Sequence, residues 1–245
     1  MKKQRNAILT GLLVTVLAAG QSMGGLLIDY DASDLPDSNT LANPFSSIVF
    51  AGTGYSLNGG ELTLTTAPSA GIWFGNGNSI GHPTNWSLAD SASGNYLKVR
   101  TKLAPGATSW SAYLADGSSY AGFTFNHSTV SYATDLAGSY NDVTNALDMT
   151  SDFHTFEFLL KDGNVTYRLD ESIVLYHGAA YASSEGSFMV IGDGSGPTPT
   201  GTGSMIIDQV TYEAGPTFSI PEPSTLGLVG CFGSAVFLIR RFFLI

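Results

Sequence analysis

Carboxylates and imidazoles are the side chains through which this 245-residue chain could do acid–base, nucleophilic or metal chemistry, and their spacing decides among those options. Cleaving a glycosidic bond with retention takes two carboxyl groups about 5–5.5 Å apart, which alternate positions on one face of a strand can supply. No glutamate here is followed two positions later by an aspartate, so a Glu-x-Asp-x-x-Glu strand is missing. There is no Gly-x-Ser-x-Gly elbow, and Gly192-Asp193-Gly194 lacks the serine that a nucleophile would need. His82, His127, His154 and His177 are scattered, with no His-Glu-x-x-His spacing for zinc. Asp29-x-Asp31-x-Ser33 opens like a calcium loop but lacks the glycine at the sixth and the glutamate at the twelfth position, so it reads as a solvated turn. Asp193 is a candidate calcium ligand at a sandwich rim, though turn formation explains an aspartate among glycines more simply. No cofactor is expected.

Two features suit carbohydrate. Lys98, Arg100 and Lys102 alternate with apolar residues and form one stripe of positive charge, able to receive an acidic polysaccharide if that face is open. In so acidic a chain, pairing with carboxylates such as Glu157 on a neighbouring strand competes with that role. Of the tryptophans, Trp110 and Trp73 read as core. Trp86, in the polar stretch Asn85-Trp86-Ser87, is the candidate sugar platform. Asp208 alternates onto the side of Ile206, Val210 and Tyr212, where a carboxylate must find partners or be turned outward by a bulge.

The elements that must position these residues are bracketed by two targeting ends. Residues 1–24 have a basic start (Lys2, Lys3, Arg5), an apolar stretch and then small residues, the build of a secretory signal peptide. At the other end Pro221-Glu222-Pro223 precedes an apolar run to Ile239 and then Arg240-Arg241. Basic residues after an apolar segment stay in the cytoplasm, so the body lies across the membrane, with the segment as a transmembrane helix. This tail resembles the PEP-CTERM sorting signal of Gram-negative bacterial surface proteins, with Pro221, Glu222, Pro223, Arg240 and Arg241 as the matching motif residues. The resemblance implies an exosortase-type processing enzyme and the export machinery as partners, and passage through the inner membrane to the cell surface or the extracellular space.

Between the ends lie nineteen acidic residues against five basic ones, a formal charge of −14, which excludes nucleic acid as a partner. The single cysteine, Cys231, is in the tail, so no disulfide staples the body. Glycine, numbering 29, argues against long helices, and short β-type runs alternate with turns throughout. Asn95 to Leu103 alternates cleanly, with Leu97, Val99 and Leu103 on one face. Asp162-Gly163 is the pair that a two-residue type I′ turn requires. Counting outward from it sets Leu160 opposite Val165, Phe158 opposite Tyr167 and Phe156 opposite Leu169. Asp116-Gly117 treated the same way sets Trp110 opposite Phe123 and Ala112 opposite Ala121. Ile173 to Tyr176 reads as a buried strand.

These features define an all-β, antiparallel sandwich over residues 25–214, a linker over 215–220 and the sorting segment over 221–245. The body is similar to the concanavalin/laminin-G-like jelly roll, on Phe156-Glu157-Phe158, Val165 to Asp170, Ile191-Gly192-Asp193-Gly194 and Ile206 to Val210. The expectation is an exported surface or extracellular-matrix protein that is not an enzyme and is structural or polysaccharide-binding. Second to it stands a carbohydrate-active enzyme, hydrolase or lyase, on the same fold.

Overall fold

The computed structural model describes residues 25–38, 41, 43–49, 52–67, 70–77, 87–134, 140–143, 147–183, 186–193 and 202–215. Signal peptide, sorting motif and Trp86 lie outside them, and no described helix is long and apolar enough to cross a membrane.

Sixteen strands stack as two antiparallel sheets. The first sheet contains β1 (Gly25–Tyr30), β3 (Gly54–Asn58), β4 (Glu61–Thr65), β6 (Asn95–Leu103), β11 (His154–Lys161), β12 (Asn164–Leu169), β13 (Ile173–Ala179) and β16 (Ser204–Ala214). Its order is β13-β12-β11-β6-β16-β4-β3, with β1 also on β16. β16 is long enough to take β4 beside Ser204–Ile207 and β1 beside Val210–Ala214. The second sheet contains β2 (Ser46–Val49), β5 (Ile72–Gly77), β7 (Trp110–Asp116), β8 (Ser119–Asn126), β9 (Thr129–Ala133), β10 (Tyr140–Asp142), β14 (Tyr181–Ala182) and β15 (Ser187–Asp193). Its order is β10-β9-β8-β7-β15-β5-β2, with β14 on β8.

Period-two patterning puts the core between the sheets. Leu97, Val99 and Leu103 of β6 are buried there, as are Phe156, Phe158, Leu160, Val165, Tyr167 and Leu169 of β11 and β12. Phe123 of β8 meets three rings of the facing sheet edge-on, Phe156, Phe158 and Tyr167, at centroid distances of 5.1, 5.8 and 5.0 Å. Aromatic pairs in such geometry add about 0.5–1.5 kcal/mol each beyond their burial.

The β11–β12 register is the one that the Asp-Gly turn dictates: Phe156 faces Leu169, Phe158 faces Tyr167 and Leu160 faces Val165, with Asp162 and Gly163 at φ 50° and 71°. The β7–β8 hairpin differs from expectation by two residues. Trp110 faces Phe125 and Ala112 faces Phe123, because the loop is Gly117-Ser118 and Asp116 remains in the strand. The Asp116 carboxylate explains the shift: its Oδ1 accepts the Ser118 and Ser119 amides at 2.9 and 2.8 Å and the Ser118 hydroxyl at 2.9 Å. Gly117, at φ 88°, then takes the first turn position that a type II′ turn reserves for glycine. A two-residue slip preserves the faces, so Trp110 is still fully buried.

Two further expectations are corrected. Ile173 and Val174 are not interior: β13 is the edge of the first sheet and they are 51% and 48% exposed. Ile206 does not share a face with Val210. A register shift between Ile207 and Gln209 makes Asp208 the extra residue of a bulge, turned outward to pair with Arg100.

Candidate functional site

The sandwich has two outer faces, and the sequence candidates fall mostly on the first sheet's. There the stripe is present but neutralised. Lys98 lies 3.7 Å from Glu171, Arg100 pairs with Asp208, and Lys102 donates to Glu61 at 3.0 Å. Lys102 and Arg100 also sit over the Phe153 ring, at 4.2 and 4.9 Å from its centroid. Glu157, buried on the same face, accepts the Tyr96 hydroxyl at 2.6 Å and has Arg168 at 3.5 Å. Burial, then the Glu157 carboxylate, holds the Tyr96 phenol far above its usual range, so it remains a donor. Burial lifts Asp208 above the ordinary aspartate value against the pull of Arg100. This face is a lattice of internal partners and leaves Lys98, Arg100 and Lys102 poorly placed to serve a ligand.

Asp193 is not a rim ligand. It is the last residue of β15, fully buried and opposite Trp110, and no group of three or more His, Cys, Asp or Glu that could hold a metal occurs among the described residues. Trp73 is buried, but outside the main core: it packs with Ala115, Phe188 and Val190 in a second apolar cluster on the outer face of the second sheet.

That face follows from register. Because Ala112 and Leu114 of β7 and Phe123 and Phe125 of β8 point into the core, their neighbours Ser111, Tyr113 and Ala115, and Tyr120, Gly122 and Thr124, point out. Cross-strand pairing then lines up three rows. One runs Asp142, Ser131, Thr124, Ser111 from β10 to β7. The next holds Tyr140 and Ala133, then Gly122, Tyr113 and Val190. The third holds Tyr181, Tyr120, Ala115 and Phe188. The β15–β5 half is buried, whereas Tyr113, Tyr120 and Tyr181 are half-buried and Tyr140 is 44% exposed.

Gly122 makes the tyrosine group possible. A β carbon there would lie 2.2 Å from Cδ1 of Tyr113, the residue directly opposite, so the bare backbone is what lets that ring lie flat across the strand. Tyr120 is 5.2 Å from Tyr113 and 6.0 Å from Tyr181, centroid to centroid, and its hydroxyl is 3.5 Å from that of Tyr140. Burial, with Tyr113 beside it, pushes the Tyr140 phenol up to about 12, and burial with Tyr113 and Tyr140 nearby holds Tyr120 well above the usual value. Both keep their protons at any physiological pH. Two residues along β10 from Tyr140, hence about 7 Å away, Asp142 takes a 2.6 Å hydrogen bond from the Ser131 hydroxyl. Asp142 is the one carboxylate at an outward position of the described strands of this sheet, so the two-carboxylate arrangement of a retaining glycosidase is not built from those strands alone.

Rings with apolar faces and polar rims, next to hydroxyls and a carboxylate, can stack on the C–H face of a pyranose and bond its hydroxyls. None of Tyr113, Tyr120, Tyr140 or Tyr181 was a sequence candidate. The hairpin pattern alone would have found the first two, since each alternates with core residues.

No family model and no curated protein matches the chain. Solved structures do. An endo-β-galactosidase from Clostridium perfringens that releases GlcNAcα1-4Gal superposes with a TM-score of 0.53 at 10% identity, over 79% of this chain and 64% of that one. The catalytic domain of an endo-1,3-β-glucanase (laminarinase) from Thermotoga petrophila gives 0.51 at 12% identity, over 78% and 98%. The Crh5 transglycosylase gives 0.51 at 16% identity, over 78% and 86%. At such identities the likeness establishes the concanavalin-like jelly-roll fold. It also overturns the expectation of a non-enzymatic structural or binding body, because the proteins that share this fold at these scores are named as glycan-cleaving and glycan-transferring enzymes.

Proposed function

We propose that the protein is an exported carbohydrate-active enzyme whose glycan lies across the tyrosine-lined half of the second sheet's outer face. The observation that carries this reading is the grouping of Tyr113, Tyr120, Tyr140 and Tyr181 beside Asp142. The rings hold the sugar plane and the protonated phenols donate to its hydroxyls. An exposed aspartate is a carboxylate at neutral pH, which fits Asp142 to accept a proton from the water or acceptor-sugar hydroxyl that attacks the anomeric carbon, the glycosidic oxygen leaving with the sugar on its far side. General base assistance of this kind contributes roughly 10²–10⁴-fold. The glycoside hydrolase and transglycosylase names among the fold's relatives support the same class of reaction.

The test is release or transfer of reducing ends from a polysaccharide panel by the full-length protein. Asp142→Asn should lower turnover at least a hundredfold while leaving thermal stability unchanged, since the side chain is exposed. Full activity of that variant, or none in the wild type on any glycan, overturns the reading.

The proposal includes the address. Residues 1–24 act as the signal peptide. Pro221, Glu222 and Pro223 with Arg240 and Arg241 act as the sorting signal, read by an exosortase-type enzyme that delivers the body to the cell surface or beyond. Alanines in place of Pro221-Glu222-Pro223 should leave the protein in the inner membrane, and unchanged release would remove exosortase from the account.

A further inference from the structure

All five lysines and arginines between the targeting ends, Lys98, Arg100, Lys102, Lys161 and Arg168, belong to β6, β11 and β12 of the first sheet. The second sheet has none, and its outer face presents phenols, hydroxyls, glycine and alanine with the carboxylate of Asp142 at one side. A uronic or sulfated polysaccharide brings one negative charge per residue or so and would meet no counter-charge there. It would instead meet Asp142 and the field of a body of net charge −14. The cations that could have received it are on the opposite side of the sandwich, and Lys98, Arg100, Lys102 and Arg168 are already within ion-pair range of Glu171, Asp208, Glu61 and Glu157.

We infer that the glycan taken by the tyrosine face is uncharged: a neutral polysaccharide of pyranoses that offers an apolar C–H plane to Tyr113 and Tyr140 and hydroxyls to the phenols, Thr124 and Asp142. The inference rests on the reading of this face as the glycan site and adds to it the class of substrate. A ring held over Gly122 is a flat platform without a charge of its own, so recognition there is by stacking and neutral hydrogen bonds. Such binding is insensitive to ionic strength, unlike binding through lysine or arginine.

Affinity electrophoresis of the full-length protein through gels containing either neutral glucans, xylans and galactans or the acidic alginate and polygalacturonate tests this. At least one neutral polysaccharide should retard the protein, with a dissociation constant that changes less than about twofold between low and high salt. The acidic ones should not retard it. Tyr140→Ala should weaken the neutral retention at least fivefold and Lys102→Gln should leave it as it was. Preferential retention by an acidic polysaccharide, weakening with salt, overturns the substrate class while the glycan reading stands; its loss in Lys102→Gln would move the site to the first sheet. No retention by any of the polysaccharides overturns the inference together with the reading beneath it.

Discussion

The two outer faces of this sandwich are built from the same kind of strand but spend their polar groups differently. On the first sheet, Lys102 meets Glu61, Arg100 meets Asp208 and Glu157 meets both Tyr96 and Arg168, so charge is used to satisfy charge within the fold. On the second sheet the open half carries phenols whose hydroxyls approach one another, next to one exposed carboxylate. Rich charge on a surface is thus no sign of a site when its partners are built in. The face with less charge is the one left able to engage a ligand.

The largest effect that would break this contrast is on stability. Glu157→Ala removes the shared acceptor of Tyr96 and Arg168 and leaves a buried phenol and a half-buried guanidinium without it, which should cost about 2–3 kcal/mol in chemical denaturation. The same change should leave glycan turnover per folded molecule intact; a loss of turnover would join the two faces functionally. Next comes Gly122→Ala. The added methyl must displace the Tyr113 ring or the strand, at about 1–2 kcal/mol of stability, and turnover should fall about tenfold because the platform tilts. Wild-type turnover in that variant would show that Tyr113 does not touch substrate. Removing one hydroxyl by Tyr140→Phe should cost about 1 kcal/mol in glycan affinity with little change in melting temperature. Lys102→Gln on the other face should do neither, its ion pair being partly exposed and worth under about 1 kcal/mol.

Alkaline pH sharpens the comparison through its sign. Phenols whose folded pKa is raised stabilise the fold fully below the unfolded tyrosine value, about 10, and that contribution is lost as pH rises towards the folded value. Tyr96 on the first face and Tyr120 and Tyr140 on the second are all raised, so stability should decline above about pH 10. In a spectrophotometric titration Tyr140, raised only to about 12, should ionise before Tyr96. The reverse order would contradict the exposure assigned to the second face.

Much of the fold was legible in the sequence. Asn95–Leu103 emerged as β6 with both bounds as expected, and the β11–β12 register followed from Asp162-Gly163 because a two-residue loop leaves one pairing that buries all six apolar residues. Asp116-Gly117 misled by two residues because an aspartate that caps its own turn need not occupy it. Ile173-Val174 misled because an apolar run does not say whether its strand has a neighbour on both sides. The site was not legible, for a related reason. Tyr140 and Tyr113 share a row only through β9 and β8, and the β15–β5 pair that closes the face comes from distant segments, so no local window holds the arrangement. Positive charge, by contrast, is conspicuous in sequence, but the acids that cancel it at Glu61, Glu171 and Asp208 are visible only after folding.

A crystal structure of the protein with a bound neutral oligosaccharide tests the central claim most directly. The sugar should lie on the second sheet, its ring plane against Tyr113 or Tyr140 and a hydroxyl within hydrogen-bond distance of Asp142. A sugar seated on the first sheet, among Lys98, Arg100 and Lys102, would contradict it.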